Sequence, residues 1–228
     1  MKSNFIRSLI SALLAGLVLA AIILAFRYDK WTQNRVVAMQ HHDWKHSTVY
    51  RMSTALSRYG DWPELMAMGA VGLVIARVAR SRDWQRILIA AMVSSTLAGI
   101  MVNSIRLTTG RPRPREEPQI QEGWYGPYHD GKLLIGNPKY NAFPSGHTAT
   151  AIGFAGVILF ARPLIGILVL AGAAAVGLSR IALGAHHLSD ITVGALIAIF
   201  VAWICWSEAR RNGDAIAAWI AKKFNRKP

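Results

Sequence analysis

Two stretches of the sequence, Ser8 to Phe26 and Ile87 to Ile105, contain no charged side chain. A helix rises about 1.5 Å per residue, so each is long enough to cross the ~30 Å hydrocarbon core of a bilayer. Pro163 to Ser179 and Ile191 to Ser207 are shorter uncharged runs, and Thr148 to Ala161 is another. Trp62 to Ala79 is weaker, because it contains Arg77; a guanidinium near a helix end can still reach the headgroups. In lipid the backbone must satisfy its own hydrogen bonds, so these runs are helices. The expected fold is all-α: a polytopic membrane protein with six transmembrane helices. A soluble protein with buried helices rarely carries so many long uncharged runs. The first run, with Lys2 and Arg7 before it, also has the make-up of a signal peptide. Its end, Leu24-Ala25-Phe26-Arg27, has no small-x-small cleavage site, so it reads as an uncleaved anchor.

Six spans return both termini to one side. The connections there, 1–7, 77–86, residue 162 and 208–228, pack their Lys and Arg into short loops and tails. Those on the other side, 27–64, 106–146 and 180–190, dilute them in longer segments. Short basic loops stay in the cytoplasm, so both termini are expected in the cytoplasm of an inner-membrane protein, with the long loops outside. The net charge of +14 suits anionic headgroups or phosphate substrates. It does not point to nucleic acid, because the basic residues fall on both faces. The lone Cys205 excludes an intrachain disulfide. The organisation read from this pattern is an anchor helix and outer-face amphipathic segment at 1–62, a membrane core at 63–207, and a basic cytoplasmic tail at 208–228. The tail alternates apolar and basic residues at helical spacing.

Three polar segments stand out: "RLTTGRPRP" at 106–114, "PSGH" at 144–147 and "SRIALGAHHLSD" at 179–190. Span counting places all three on the outer face. Arg106, Arg111, Arg113 and Arg180 carry planar, multi-donor heads that suit phosphate oxygens. Ser145 and Gly146 stand where a helix starts, where free N–H groups and the dipole favour an anion. His186 and Asp190 share a face if the last helix extends back to them. Asp190 would then hold the imidazole in one tautomer and make His186 a competent nucleophile. His147 is left as a proton donor, with an unperturbed pKa of ~6.5. His187 is offset by three from Asp190 rather than four. His42 and His46 lie at helical spacing and invite a metal, but their segment is rich in Trp, Tyr and Arg and reads as an interfacial lid.

The pattern resembles the type 2 phosphatidic acid phosphatase (PAP2) family, which shares its core with vanadium haloperoxidases. The family signature is K-x6-R-P, then P-S-G-H, then S-R-x5-H-x3-D. Pro144-Ser145-Gly146-His147 and Ser179-Arg180…His186…Asp190 match without deviation. Counting back from Arg113-Pro114, Arg106 stands where the family has Lys, and Arg is not a neutral replacement. The resemblance covers roughly residues 87 to 207. It implies a PAP2-type helical bundle and a phosphatase that uses neither metal nor cofactor and forms a covalent phosphohistidine. His186 would attack phosphorus, Asp190 orient it and His147 protonate the leaving group. Arg106, Arg113, Arg180 and the Ser145 and Gly146 amides would hold the phosphoryl oxygens. The implied partner is a lipid phosphate in the membrane. Family analogy favours undecaprenyl pyrophosphate over phosphatidylglycerophosphate, phosphatidic acid or lipid A phosphate. The rival readings are a non-catalytic lipid-phosphate binder or transporter, which the intact motifs disfavour, and a haloperoxidase, which the spans disfavour.

Overall fold

An apolar run has no polar partner for its backbone but itself, and it ends where a residue can cap it. In the computed structural model, which describes residues 2–40, 43–117 and 119–224, the runs form the helices α1 (Lys2–Arg27), α4 (Trp62–Val78), α5 (Arg82–Thr109), α6 (Gly146–Ala161), α7 (Pro163–Ala182) and α8 (Leu188–Phe224). Two shorter helices, α2 (Asp29–Met39) and α3 (Thr48–Tyr59), lie between α1 and α4. Ser47, Asp61, Ser81 and Ser145 begin α3, α4, α5 and α6, each accepting a backbone N–H. The long loop between α5 and α6 carries a two-residue ribbon, Tyr128–His129 against Lys132–Leu133.

The core forms around α6, which packs against α5, α7 and α8. Its Ala149, Ile152, Ala155 and Val157 are buried, and the facing helices supply Ala91, Ala98, Ala198 and Ala202. Small residues let helix backbones approach closely where lipid offers no hydrophobic drive. The outer surface is the reverse of a soluble protein's. Leu13 and Leu17 of α1, Val71 and Val78 of α4, and Leu164 and Leu168 of α7 are exposed, as lipid-facing side chains should be.

Four spans are long and apolar enough to cross a membrane: Ile6–Arg27, Arg82–Glu116, Pro163–Ala182 and Leu188–Gly213. The all-helical membrane architecture is as expected. The count of six is met by four on length and composition; α4 and α6, with 17 and 16 residues, fall short of the ~20 residues of a typical span. α8 runs unbroken through the tail to Phe224, and 225–228 lie outside the described residues. So does His42 of the expected His42–His46 pair; His46 closes a 3-10 turn, Trp44–His46.

Two features aim the functional segments at one end of the bundle. α5 stops at Gly110, whose φ of 59° is left-handed, and a Cβ there would lie 2.1 Å from the Gly126 carbonyl oxygen. Glycine therefore lets α5 end and the loop fold back over that end. The turn after α7 is short, so the end of α7 and the start of α8 lie beside the start of α6. α2 and α3 fold onto this end, α2 against α7 and α8 and α3 against α7.

Candidate active site

The three motif segments are joined by hydrogen bonds. The Ser145 amide donates to the Asp190 carbonyl at 3.0 Å, and the Arg115 amide to the Gly184 carbonyl at 2.9 Å. Arg106 donates from Nε and Nη2 to the Pro144 carbonyl at 3.3 and 3.0 Å. Thr109 Oγ1 donates to the Phe143 carbonyl at 2.9 Å. The P-S-G-H loop is thus braced by α5 on one side and by the start of α8 on the other.

His186 Nδ1 lies 2.6 Å from the Ala142 carbonyl oxygen. A carbonyl only accepts, so Nδ1 carries the proton and Nε2 the lone pair. Asp190 Oδ2 stands 3.6 Å from the same Nδ1. α8 opens at Leu188 and does not extend back to His186, so the helical face expected from the spacing does not form; the bend before α8 brings the two side chains together instead. Burial is the largest influence on His186 and pushes its pKa down to about 4, against a smaller upward pull from Asp190. The imidazole is therefore neutral at pH 7, the state a nucleophile needs. His187 turns elsewhere: its Nε2 lies 3.4 Å from the Pro112 carbonyl, and only its backbone amide reaches Asp190, at 2.7 Å.

Arg106, Arg113 and Arg180 gather within electrostatic reach of one another and of His147. Arg180 Nη1 donates to Ser57 Oγ of α3. The Nε groups of Arg113 and Arg180 are buried and have no partner among the described residues. Buried charged donors left unpaired are costly, and an anion is their natural complement. α6 starts beside them, and by helix geometry the Gly146 and His147 amides lack intrahelical acceptors. A Cβ on Gly146 would sit 2.6 Å from Arg106 Nη2, so glycine is what lets Arg106 approach the helix start.

Two residues depart from the sequence reading. Ser145 is fully buried, its amide is taken by the Asp190 carbonyl, and its hydroxyl caps α6 by accepting from the Thr148 amide and hydroxyl. It braces the loop instead of presenting an amide to an anion. Arg111, grouped by sequence with the phosphate-seeking arginines, is enclosed by carboxylates: Nη1 donates to Asp190 Oδ1 at 2.6 Å and Nη2 to Asp29 Oδ2 at 2.8 Å. Asp29, Glu122 and His187 bring possible metal-ligand atoms within 4.8 Å of one another. Arg111 bonds both of those carboxylates, so a guanidinium already serves as the cation of that cluster.

His147 Nε2 lies 3.5 Å from Asp61 Oδ2. Both line a cleft of about 360 Å³ between α4, α5 and α6, together with Trp62, Ile100, Asn103 and Arg106. Sequence reading missed Asp61 and Asp29. Each is an acidic residue at a membrane boundary, which could have flagged it, but nothing local names its partner.

The chain matches the family model described as the PAP2 superfamily over residues 87–214. It is 27% identical over 161 residues to lipid phosphate phosphatase 1 of Arabidopsis thaliana, covering 60% of this chain and 49% of that protein. It is 24% identical over 168 residues to the lipid A 1-phosphatase of Rhizobium etli, covering 65% and 66%. To the lipid A 1-phosphatase of Porphyromonas gingivalis it is 32% identical over 128 residues, covering 54% and 24%. The chain thus spans about half the length of the Arabidopsis relatives. Aquifex aeolicus LpxE superposes with a TM-score of 0.54 at 22% identity, over 78% of this chain and 94% of that one. The PAP2-type phosphatidylglycerolphosphate phosphatase of Bacillus subtilis gives 0.54 at 18%, over 86% and 96%; these two likenesses concern the fold. With more than half of its residues inside the family match and the motif segments assembled at one end of the bundle, the chain belongs to the PAP2 superfamily.

Proposed function

We propose that this chain is an integral-membrane lipid phosphate phosphatase that works through a covalent phosphohistidine. The observation that carries the reading is the pairing of a neutral, tautomerically fixed His186 with the two partnerless guanidinium Nε groups of Arg113 and Arg180. In the first step the Nε2 lone pair of His186 bonds to phosphorus. The bond from phosphorus to the leaving oxygen breaks, and His147, which takes up a proton when the anionic phosphate joins Asp61 beside it, gives that oxygen its proton. Asp190 supports the positive charge on the phosphorylated imidazole. Arg106, Arg113, Arg180 and the Gly146 amide hold the phosphoryl oxygens, and Ser145 keeps their loop against α8. In the second step water bonds to phosphorus, the N–P bond breaks, and His147 takes the proton from the water. Phosphoryl transfer asks mainly for positioning and charge stabilisation. Several arginines supply that charge, so the reaction as drawn needs no metal.

On this reading six helices span the inner membrane, with α4 and α6 completing the set. The termini are cytoplasmic and the catalytic end faces the periplasm. The substrate's phosphate meets the site at the membrane threshold while its chains stay in lipid. The leaving group would occupy the cleft beside His147. Asp61 puts negative charge there, which suits a departing hydroxyl better than a departing phosphate. A lipid phosphomonoester is therefore the favoured class, ahead of the polyprenyl pyrophosphate that analogy favours. The Arabidopsis and bacterial relatives are named lipid phosphate phosphatases and lipid A 1-phosphatases, which supports a lipid phosphate as the substrate. The test is phosphate release by purified protein from phosphatidic acid, phosphatidylglycerophosphate, lipid A 1-phosphate and undecaprenyl pyrophosphate, in excess EDTA. Continuous turnover excludes a pure binder or transporter. Release from none of them, or a requirement for added metal, sinks the proposal.

A further inference from the structure

Behind Asp190 lies a set of buried charges that the reaction as drawn does not use. Arg111 is 2% exposed and Asp29 is 4% exposed. Arg111 Nη1 donates to Asp190 Oδ1 at 2.6 Å and to Ser189 Oγ at 2.7 Å. Its Nη2 donates to Asp29 Oδ2 at 2.8 Å and reaches Glu122 Oε1 at 3.4 Å. Asp29 in turn accepts the Ser189 amide on Oδ1 at 2.7 Å and the Ser189 hydroxyl on Oδ2 at 2.5 Å. The rings of Phe26 and Trp124 flank the guanidinium, 5.5 and 5.0 Å from its carbon. Asp29 opens α2, with only Tyr28 between it and the end of α1, and lies outside the family match at 87–214.

The charges can be counted. Asp29 and Asp190 share one guanidinium, so with a neutral imidazole the buried group carries one net negative charge. Glu122 is 44% exposed at its side chain, and water screens it. When Nε2 of His186 bonds to phosphorus while Nδ1 keeps its proton, the ring becomes cationic and the buried group becomes neutral. Without the charge of Asp29, Arg111 would already balance Asp190. The cationic ring would then stand uncompensated in a dry site, where charge interactions are strong.

We propose that Asp29 is a positioning residue for the phosphatase reaction: it shares Arg111 with Asp190, which leaves the Asp190 charge free for the imidazole, and its grip on Ser189 holds the first turn of α8 so that Asp190 faces His186. The role rests on reading His186 as the nucleophile. It makes the segment before the family core part of the active site.

The test compares kcat and KM of wild type, Asp29→Asn and Asp29→Glu on dioctanoyl phosphatidic acid in detergent, using protein shown to be folded by size exclusion and thermal unfolding. Asp29→Asn keeps the size and removes the charge. Its kcat should fall about tenfold or more with KM within about threefold, since the lost interaction matters after substrate has bound. Asp29→Glu, which restores the charge, should recover part of kcat. Unchanged kcat in Asp29→Asn, or an equal loss in the Glu variant, overturns the proposal. If Asp29→Asn fails to fold, Ser189→Ala carries the test, because it removes only the hydroxyl bridging Asp29 and Arg111. A kcat lowered about threefold with KM kept supports the role, and a wild-type kcat overturns it. A wild-type chain inert toward every lipid phosphate named above overturns the phosphatase reading and this role with it; an active wild type beside an unaffected Asp29→Asn overturns the Asp29 role alone.

Discussion

Replacing Gly146 by Ala separates the folding role of the P-S-G-H turn from its chemistry. The added Cβ would lie 2.6 Å from Arg106 Nη2, with the next atoms, Arg106 Cζ and Asn103 Oδ1, at 3.5 Å. Heavy atoms rest at about 3.5–4.0 Å, so the guanidinium must withdraw by roughly 1 Å. It is the far end of a flexible side chain, and it can yield without moving α5 or α6. Ala is also the better helix former, by about 1 kcal/mol in a helix interior. Stability should therefore hold, with the melting temperature within about 3 °C of wild type. What goes is the clamp of Arg106 on the Pro144 carbonyl, and with it the place of that cation at the anion site. A misplacement of ~1 Å in a positioning group can cost ~10²-fold, or about 2.7 kcal/mol of barrier. The assay is initial-rate phosphate release from a short-chain phosphatidic acid, alongside a melting curve. A loss of about 100-fold in kcat/KM is expected in the folded variant. Adding Arg106→Ala should then cost little more, because both changes strike one interaction. Wild-type turnover in Gly146→Ala, or a fully additive loss in the double variant, would refute the reasoning.

His186→Ala should abolish steady-state phosphate release while leaving the protein membrane-inserted, and the wild-type rate should be the same with and without EDTA. Because burial lowers His186 from 6.5 to about 4, the acid limb of a kcat/KM–pH profile should fall near pH 4; a limb near 6.5 would show an exposed imidazole. The same depressed pKa ties stability to pH. The contribution is complete above pH 6.5 and is lost as pH falls from 6.5 through 4, so melting temperatures measured across that window should drop, and less so in His186→Asn. Asp61→Asn removes the carboxylate beside His147 and should lower kcat on a phosphomonoester about tenfold. It should also raise the relative rate on a polyprenyl pyrophosphate, which two-substrate competition would read.

What was legible in the sequence was short-range. The spacing of His186 and Asp190 pointed to their approach, although His186 stands before α8 begins at Leu188 and a bend, not a helical turn, brings it to 3.6 Å from Asp190. Span counting brought three distant segments to one end because a helix must cross and return. What stayed hidden was pairing across the chain. Arg111 and Arg113 sit in one repeat, R-P-R-P, and no periodicity distinguishes them. In the structure Arg111 faces Asp29 and Asp190, whereas the Nε of Arg113 has no partner among the described residues. Asp29 bonds a serine 160 residues away, a distance at which sequence pattern carries no signal. Ser145 looked like an anion-binding amide at a helix start; only the approach of α8, whose Asp190 carbonyl accepts that amide, shows that it is already engaged. The span count differs for another reason: α6 is apolar but has only 16 residues, nearly all of those from Gly146 to Ile158 buried among its neighbours, and such a helix can be shorter than one that faces lipid.

The arginines sort by what opposes them. Arg111 has its charge answered within the protein, in a dry site where it donates to both Asp29 and Asp190, and removing it would strand two buried carboxylates. Arg106, Arg113 and Arg180 repel one another across the mouth of α6, and two of them keep a buried N–H unanswered. A fold tolerates such unanswered charge where an outside anion completes it, and strain of this kind gathers at functional sites. The rear set and the front set are joined by Asp190. One of its oxygens is held by Arg111, and the other faces the imidazole that the front arginines surround. A phosphoryl group entering at the front relieves the repulsion there. On the proposed mechanism, the cation formed on His186 would draw on the negative charge stored at the rear. Binding and bond formation would then use different charges, which is how such a site could hold a phosphate firmly and still favour the transition state over the bound substrate.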